Sequence, residues 1–218
     1  MKKIKEGCIA FLTIIFYIYF QVFLFDFINF ENKGFYMQNL LLLLPLVFVS
    51  FILFFIYRKD LIKQFLDYDK EDLFVTIKYW FYGLLLMYVV NILLLPFTND
   101  IAMTEAANRS ILVKFPFFAV TSMGIIAPFA EEICFRYSFR KVFTNKWVFV
   151  IVTSLLFGLV HINSFNLKEF LFILPYSIMG GALGLAYFNT KNIFSAIFMH
   201  MFNNVTMIFL LIVGGGLF

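Results

Sequence analysis

The sequence predicts an all-α, polytopic bundle of about seven transmembrane helices, with the amino terminus in the cytoplasm. Three observations lead there. The chain has 218 residues, of which 63% are hydrophobic and only 14% charged. That is more apolar surface than a soluble domain of this size can bury. The apolar residues fall into segments close to the roughly 20 residues that cross a bilayer as a helix. Lysine and arginine gather on one side of those segments.

The segments are residues 8–28, 38–57, 79–97, 115–140, 147–162, 170–188 and 193–213. The first follows "MKKIKEGC" and resembles a signal peptide. It is too long for one and lacks a small-residue cleavage site, so it reads as an uncleaved first span. The fifth is short, and the fourth carries charges. Assigning loops to alternate sides puts thirteen Lys and Arg on the amino-terminal side, Arg136 among them, and four on the other. This asymmetry fits a cytoplasmic amino terminus. No stretch between spans is long enough to build its own core. Residues 1–218 therefore read as one membrane-embedded domain, with its chemistry in about 115–210.

The charged loop 58–78 reads as a cytoplasmic interfacial helix, and 100–114 as a similar one on the far side. Pro45 and Pro96 fall within or at the end of spans two and three. Pro128 lies three residues before Glu131, where it would kink the helix and free backbone carbonyls near the glutamates. Gly180 and Gly184 form a small-xxx-small pair that lets another helix approach closely. Cys8 and Cys134 are the only cysteines, and they read as structural thiols. The net charge of +4 belongs to the loops. Nothing resembles a basic surface for nucleic acid.

Few strongly polar residues remain inside the spans. Glu131, Glu132 and Arg136 lie on the fourth, His161 ends the fifth, and His200, Asn203 and Asn204 lie on the seventh. These include both histidines of the chain. Ionisable groups inside a membrane are costly and point to a functional site facing the bundle interior. Glu132 and Arg136 are four apart and share a helix face. Glu131 lies about 100° around the helix and is free to face a cavity. His200 and Asn204 share a face, whereas Asn203 points elsewhere. Phe157, four before His161, can pack beside its imidazole. Counted from the cytoplasmic edge, Glu131 and His200 lie about 13 Å deep, and His161 about 22 Å. The last depth agrees with the others only if span five tilts or starts below the bilayer edge. Alone, either histidine reads equally well as a satisfied core group, and the Glu–Arg pair as a clamp. Together they read as a site.

Glu131-Glu132-x-x-x-Arg136, Phe157-x-x-x-His161 and His200-x-x-x-Asn204 resemble, in order, the three signature motifs of the CPBP family. These are the CAAX-prenyl-protease and bacteriocin-processing proteins, also called Abi proteins. The resemblance covers about residues 115–210. It implies intramembrane hydrolysis of a peptide bond in a membrane-associated peptide or protein. Glu131 would be the general base that activates water, and His161 would help hold that water. His200 and Asn204 would form the oxyanion hole, with Glu132 and Arg136 as a supporting ion pair. An intramembrane carboxylate suits such a base, and donors aimed at a developing oxyanion contribute several kcal/mol. Cys134, three residues after Glu131, offers a cysteine nucleophile as a lesser alternative.

Two histidines and a glutamate are also a donor set for zinc, although no histidine pair is spaced i, i+4. The resemblance points instead to a water activated without metal and to no cofactor. Two functions from other classes use the same residues. One is a non-catalytic immunity factor that binds a bacteriocin-like peptide or a protein partner. The other is a small proton-coupled transporter, for which the sequence shows no inverted repeat. A composition rich in Phe, Ile, Asn and Lys suggests an AT-rich genome and hence a bacterial cytoplasmic membrane.

Overall fold

In the computed structural model, residues 34–98, 101–162, 164 and 166–214 are described, with Leu12 and Ile15 as isolated helical positions before them. Apart from those two positions, the first predicted span, 8–28, lies outside the described residues. Among the described residues the fold is all-helical. Seven helices follow one another: α1 (Phe35–Leu66), α2 (Lys70–Thr98), α3 (Met103–Lys114), α4 (Pro116–Arg140), α5 (Lys146–Leu159), α6 (Leu167–Thr190) and α7 (Ile193–Val213). Four of them, α2, α4, α6 and α7, are long and apolar enough to cross a membrane. The protein is therefore a multi-pass membrane protein. The predicted span 38–57 falls inside α1.

The helix starts are written in short polar residues. Asn145 accepts from the Trp147 and Val148 amides at the head of α5, and Asn166 from the Glu169 amide at the head of α6. Asn192 does the same for Phe194 at the head of α7. Each oxygen satisfies amides that the first helical turn leaves without partners. Pro116 opens α4, where its missing N–H costs nothing. The turn between α6 and α7 needs Lys191 in the left-handed region, at φ 59°.

Two expectations are corrected. Loop 58–78 forms no separate interfacial helix. α1 runs on to Leu66, Asp67 closes it, and α2 begins at Lys70. The residues between the spans are taken into the two long helices, joined by a turn in which Asp69 Oδ1 accepts from the Glu71 and Asp72 amides. The fifth segment is also shorter than 147–162. α5 has 14 residues and ends at Leu159, about 21 Å of helix. The expected helix within 100–114 is present as α3.

α6 is the central post, packed against α2, α5 and α7. Its small residues make that possible. A Cβ on Gly180 would lie 3.2 Å from the Ser154 Cα, and one on Gly184 would lie 3.8 Å from the Val150 Cα, both on α5. On the opposite side, Gly83 of α2 meets Ala182 of α6, where an added Cβ would sit 2.6 Å from the alanine Cβ. Many large side chains point outward, among them Phe81, Leu93, Trp147 and Phe209. In a bundle immersed in lipid, such a surface needs no polar cover.

One end of the bundle is tied by polar contacts between helix ends. Asn192 Nδ2 donates to the Gln64 carbonyl at 2.7 Å, and Tyr137 OH to Asp60 at 2.5 Å. At the other end, α3 folds against the turn after α5. We predict that Gly83→Ala lowers stability by about 1–3 kcal/mol, the cost of overpacking a rigid contact. Unfolding of the detergent-solubilised protein measures it, and an unchanged midpoint would contradict the close α2–α6 approach.

Candidate active site

The site is built on α4, which is not a uniform α-helix. Two π-helical turns, Ser122–Ile126 and Ile133–Tyr137, flank the α-helical Ala127–Glu132 segment. Such turns recur at functional sites because they re-aim side chains and open the backbone ladder. Here the opening has a visible cause. The Ala127 amide donates to the Ser122 carbonyl, and Pro128 has no N–H. The Met123 carbonyl thus loses both its α-type and its π-type donor within the helix. Asn204 Nδ2 donates to it from α7 at 2.9 Å. The carbonyl expected to be freed near Pro128 is present, and it anchors one of the predicted site residues.

Glu132 is the centre of the polar network. Its Oε1 accepts from Arg136 Nη1 at 2.9 Å and from His200 Nδ1 at 2.8 Å. Glu132 and Arg136 are both fully buried. Arg136 was assigned by sequence to the cytoplasmic side, yet it is interior. The same guanidinium donates from Nη2 to the Gly180 carbonyl at 3.2 Å and lies over the Phe157 ring at 4.3 Å. A glycine at 180 keeps this approach unstrained, because a Cβ would stand 3.2 Å from Nη2 and from Phe157 Cδ1, tighter than ordinary contact. The anticipated pair is therefore one part of a larger unit, and Glu132 also orients His200. A carboxylate only accepts, so with Glu132 ionised the Nδ1–H points to it. This leaves Nε2 as the nitrogen facing Glu131, whose Oε2 lies 4.0 Å away. Glu131 keeps 15% side-chain exposure, against none for Glu132.

His161 lies in the turn after α5, two residues beyond Leu159. Its ring folds back along the helix, and Nδ1 lies 2.7 Å from the Phe157 carbonyl. A carbonyl cannot donate, so Nδ1 carries the proton and Nε2 the lone pair. The backward fold brings the imidazole beside the Phe157 ring. Phe157 joins the two histidines: its ring centroid is 4.4 Å from that of His161 and 5.5 Å from that of His200. His161 also lies within electrostatic reach of Glu131 and His200.

The structure thus gathers Glu131, Glu132, Arg136, Phe157, His161 and His200 into one cluster, with Asn204 one turn beyond His200 on α7. Asn203 is buried and donates to Asn204 Oδ1 at 3.4 Å. Cys134 is fully buried and forms no disulfide. Sequence reasoning missed the Gly180 and Met123 carbonyls. It also missed Tyr176, whose ring stacks on His161 at 4.6 Å and 26°. A tyrosine in a span rich in aromatics gives no signal by itself. Among the described residues, no three His, Cys, Asp or Glu side chains converge as metal ligands.

The sequence matches known proteins over the same region. Residues 113–206, which contain every residue of this cluster, match the family model described as type II CAAX prenyl endopeptidase Rce1-like. UPF0177 protein YxdF of Lactococcus lactis subsp. lactis (strain IL1403) is 30% identical over 147 residues, which cover 66% of this chain and 78% of that protein. UPF0177 protein YbdI of the same strain is 37% identical over 67 residues, 30% of this chain and 37% of that protein. No solved structure matches. The chain belongs to the CPBP family of CAAX-protease-like membrane proteins.

Arg136→Met should destabilise the protein by about 3–5 kcal/mol, because it strands the Glu132 carboxylate in the interior. The double substitution Glu132→Gln with Arg136→Met should recover part of that loss. Chemical denaturation in mild detergent measures both, and a loss no smaller in the double variant would argue against the pairing.

Proposed function

We propose that this protein is an intramembrane endopeptidase that hydrolyses peptide bonds in membrane-associated peptides or proteins. The observation that carries the proposal is the placement of Glu131. Its carboxylate is partly open, is 4.0 Å from His200 Nε2, and sits beside a buried Glu132–Arg136 pair that holds His200.

In this reading a water molecule lies against Glu131, with His161 Nε2 accepting one of its hydrogens. Glu131 takes the other proton as the water oxygen attacks the scissile carbonyl carbon. The carbonyl π electrons move to oxygen. That oxyanion is met by His200 and by the second amide hydrogen of Asn204, the first being held by Met123. His200 donates from Nε2 as an imidazolium, whose Nδ1–H is held by Glu132 as an orienting carboxylate holds a catalytic histidine. Collapse of the tetrahedral adduct breaks the C–N bond, and the leaving amine takes the proton from Glu131.

The proposed mechanism uses no metal. In this reading His161 Nε2 and His200 Nε2 serve the water and the oxyanion, and Glu131 activates the water without a metal. The lactococcal relatives and the charge asymmetry of the loops support residence in a bacterial cytoplasmic membrane with a cytoplasmic amino terminus. The substrate is proposed as a membrane-associated peptide or membrane protein.

Glu131→Gln should lower cleavage in reconstituted membranes by at least about 10²-fold, the usual contribution of a general base, while the melting temperature stays unchanged. Retained cleavage would sink the mechanism. A wild-type protein that cleaves nothing, yet confers peptide resistance when Glu131 is replaced, would identify a binding protein instead. Titration with a chelator should leave the rate unchanged, and loss of activity restored by zinc would reassign the site to a metal.

A further inference from the structure

His161 stands outside regular structure, in the turn that follows α5, and yet its imidazole is held on several sides. Its Nδ1–H is taken by the Phe157 carbonyl at 2.7 Å. Its own carbonyl accepts from Thr104 Oγ1 of α3 at 2.5 Å. α3 is fixed in turn to α6, where Glu169 Oε1 accepts from the Met103 amide at 3.0 Å. One face of the ring meets Phe157, and Tyr176 of α6 stacks on it at 4.6 Å with planes 26° apart.

We infer that Tyr176 is a positioning residue that fixes the ring plane of His161, so that the unprotonated Nε2 faces the reacting water; the inference rests on the hydrolytic reading given above. A hydrogen bond at Nδ1 alone leaves the ring free to rock about the bond to its backbone. A face-stacked phenol removes that freedom, because rocking would cost the aromatic contact. Thr104 holds the backbone and Tyr176 holds the plane. The active part of Tyr176 is its ring, not its hydroxyl. Small misplacements of a group that orients a reactant cost up to about 10²-fold in rate, so the contact acts on turnover and not on substrate affinity.

The test uses the full chain in lipid nanodiscs and has two arms. In the first, imidazole nitrogens are read by 15N NMR. The chain has two histidines, so a His200→Gln sample assigns the His161 signals. His161 should show a single Nδ1–H tautomer in all three proteins, with nitrogen relaxation reporting a fixed ring in the wild type and Tyr176→Phe and a mobile ring in Tyr176→Leu. In the second arm, Tyr176→Leu should lose about tenfold in kcat with KM within about twofold, and Tyr176→Phe should keep most of kcat. If Tyr176→Leu does not fold, Tyr176→Met serves in its place.

An Nε2–H tautomer in the wild type overturns the inference whatever the kinetics show. So does a Tyr176→Leu protein with wild-type kcat, or a Tyr176→Phe protein as slow as Tyr176→Leu. If the wild type cleaves no peptide, the hydrolytic reading fails, and the NMR arm still decides whether Tyr176 fixes the ring.

Discussion

Everything at the centre of this protein is arranged around one oxygen atom. Glu132 Oε1 receives a guanidinium from its own helix and an imidazole from α7, in a region where neither charge can turn to water. A buried ion pair does not stabilise a fold by much, because desolvation offsets most of the attraction. Its value is geometric. Arg136 cannot leave without stranding Glu132, and Glu132 cannot rotate without releasing His200. The guanidinium also spans to the Gly180 carbonyl and the Phe157 ring, so α4, α5, α6 and α7 are all registered against the same pair.

That constraint explains the division of labour between adjacent glutamates. Glu132 is the fixed one, with its acceptor capacity at Oε1 spent on structure. Glu131, one residue earlier, turns away from the pair and keeps some exposure. The proposed role of Glu131 as a base uses that exposure. Two π-helical turns flank the segment that carries both glutamates.

Much of this was legible in the sequence, and the reasons are specific. Charges and histidines in apolar spans stand out because their cost in a membrane is high, so Glu131, Glu132, Arg136, His161 and His200 could all be found by inspection. Spacing of four gave the Glu132–Arg136 pair. It could not give the Glu132–His200 bond, since contacts between helices depend on how the helices pack. Backbone carbonyls carry no sequence signature, so Met123 and Gly180 were invisible as partners, although Pro128 and the glycine pair hinted at each place. The loop after α1 was misread because its charges suggested a separate surface helix. In the structure Arg58, Lys59, Asp60 and Lys63 simply continue α1, and Tyr137 uses Asp60 as an acceptor. The end of α5 was placed too late because Val160 and Ile162 are apolar and no Gly or Pro follows Leu159 to mark a stop. The chain turns there so that His161 can bond back to Phe157.

The bond between Asn204 and the Met123 carbonyl makes a proline on one helix and an amide on another a single component. An ordinary residue at 128 would bring its own N–H to that carbonyl, and Asn204 would lose the partner that sets its rotamer. The Asn204 amide would then keep only its contact with Asn203 at Oδ1. Pro128 thus acts beyond its own backbone, by leaving a carbonyl on α4 open to a side chain of the neighbouring helix.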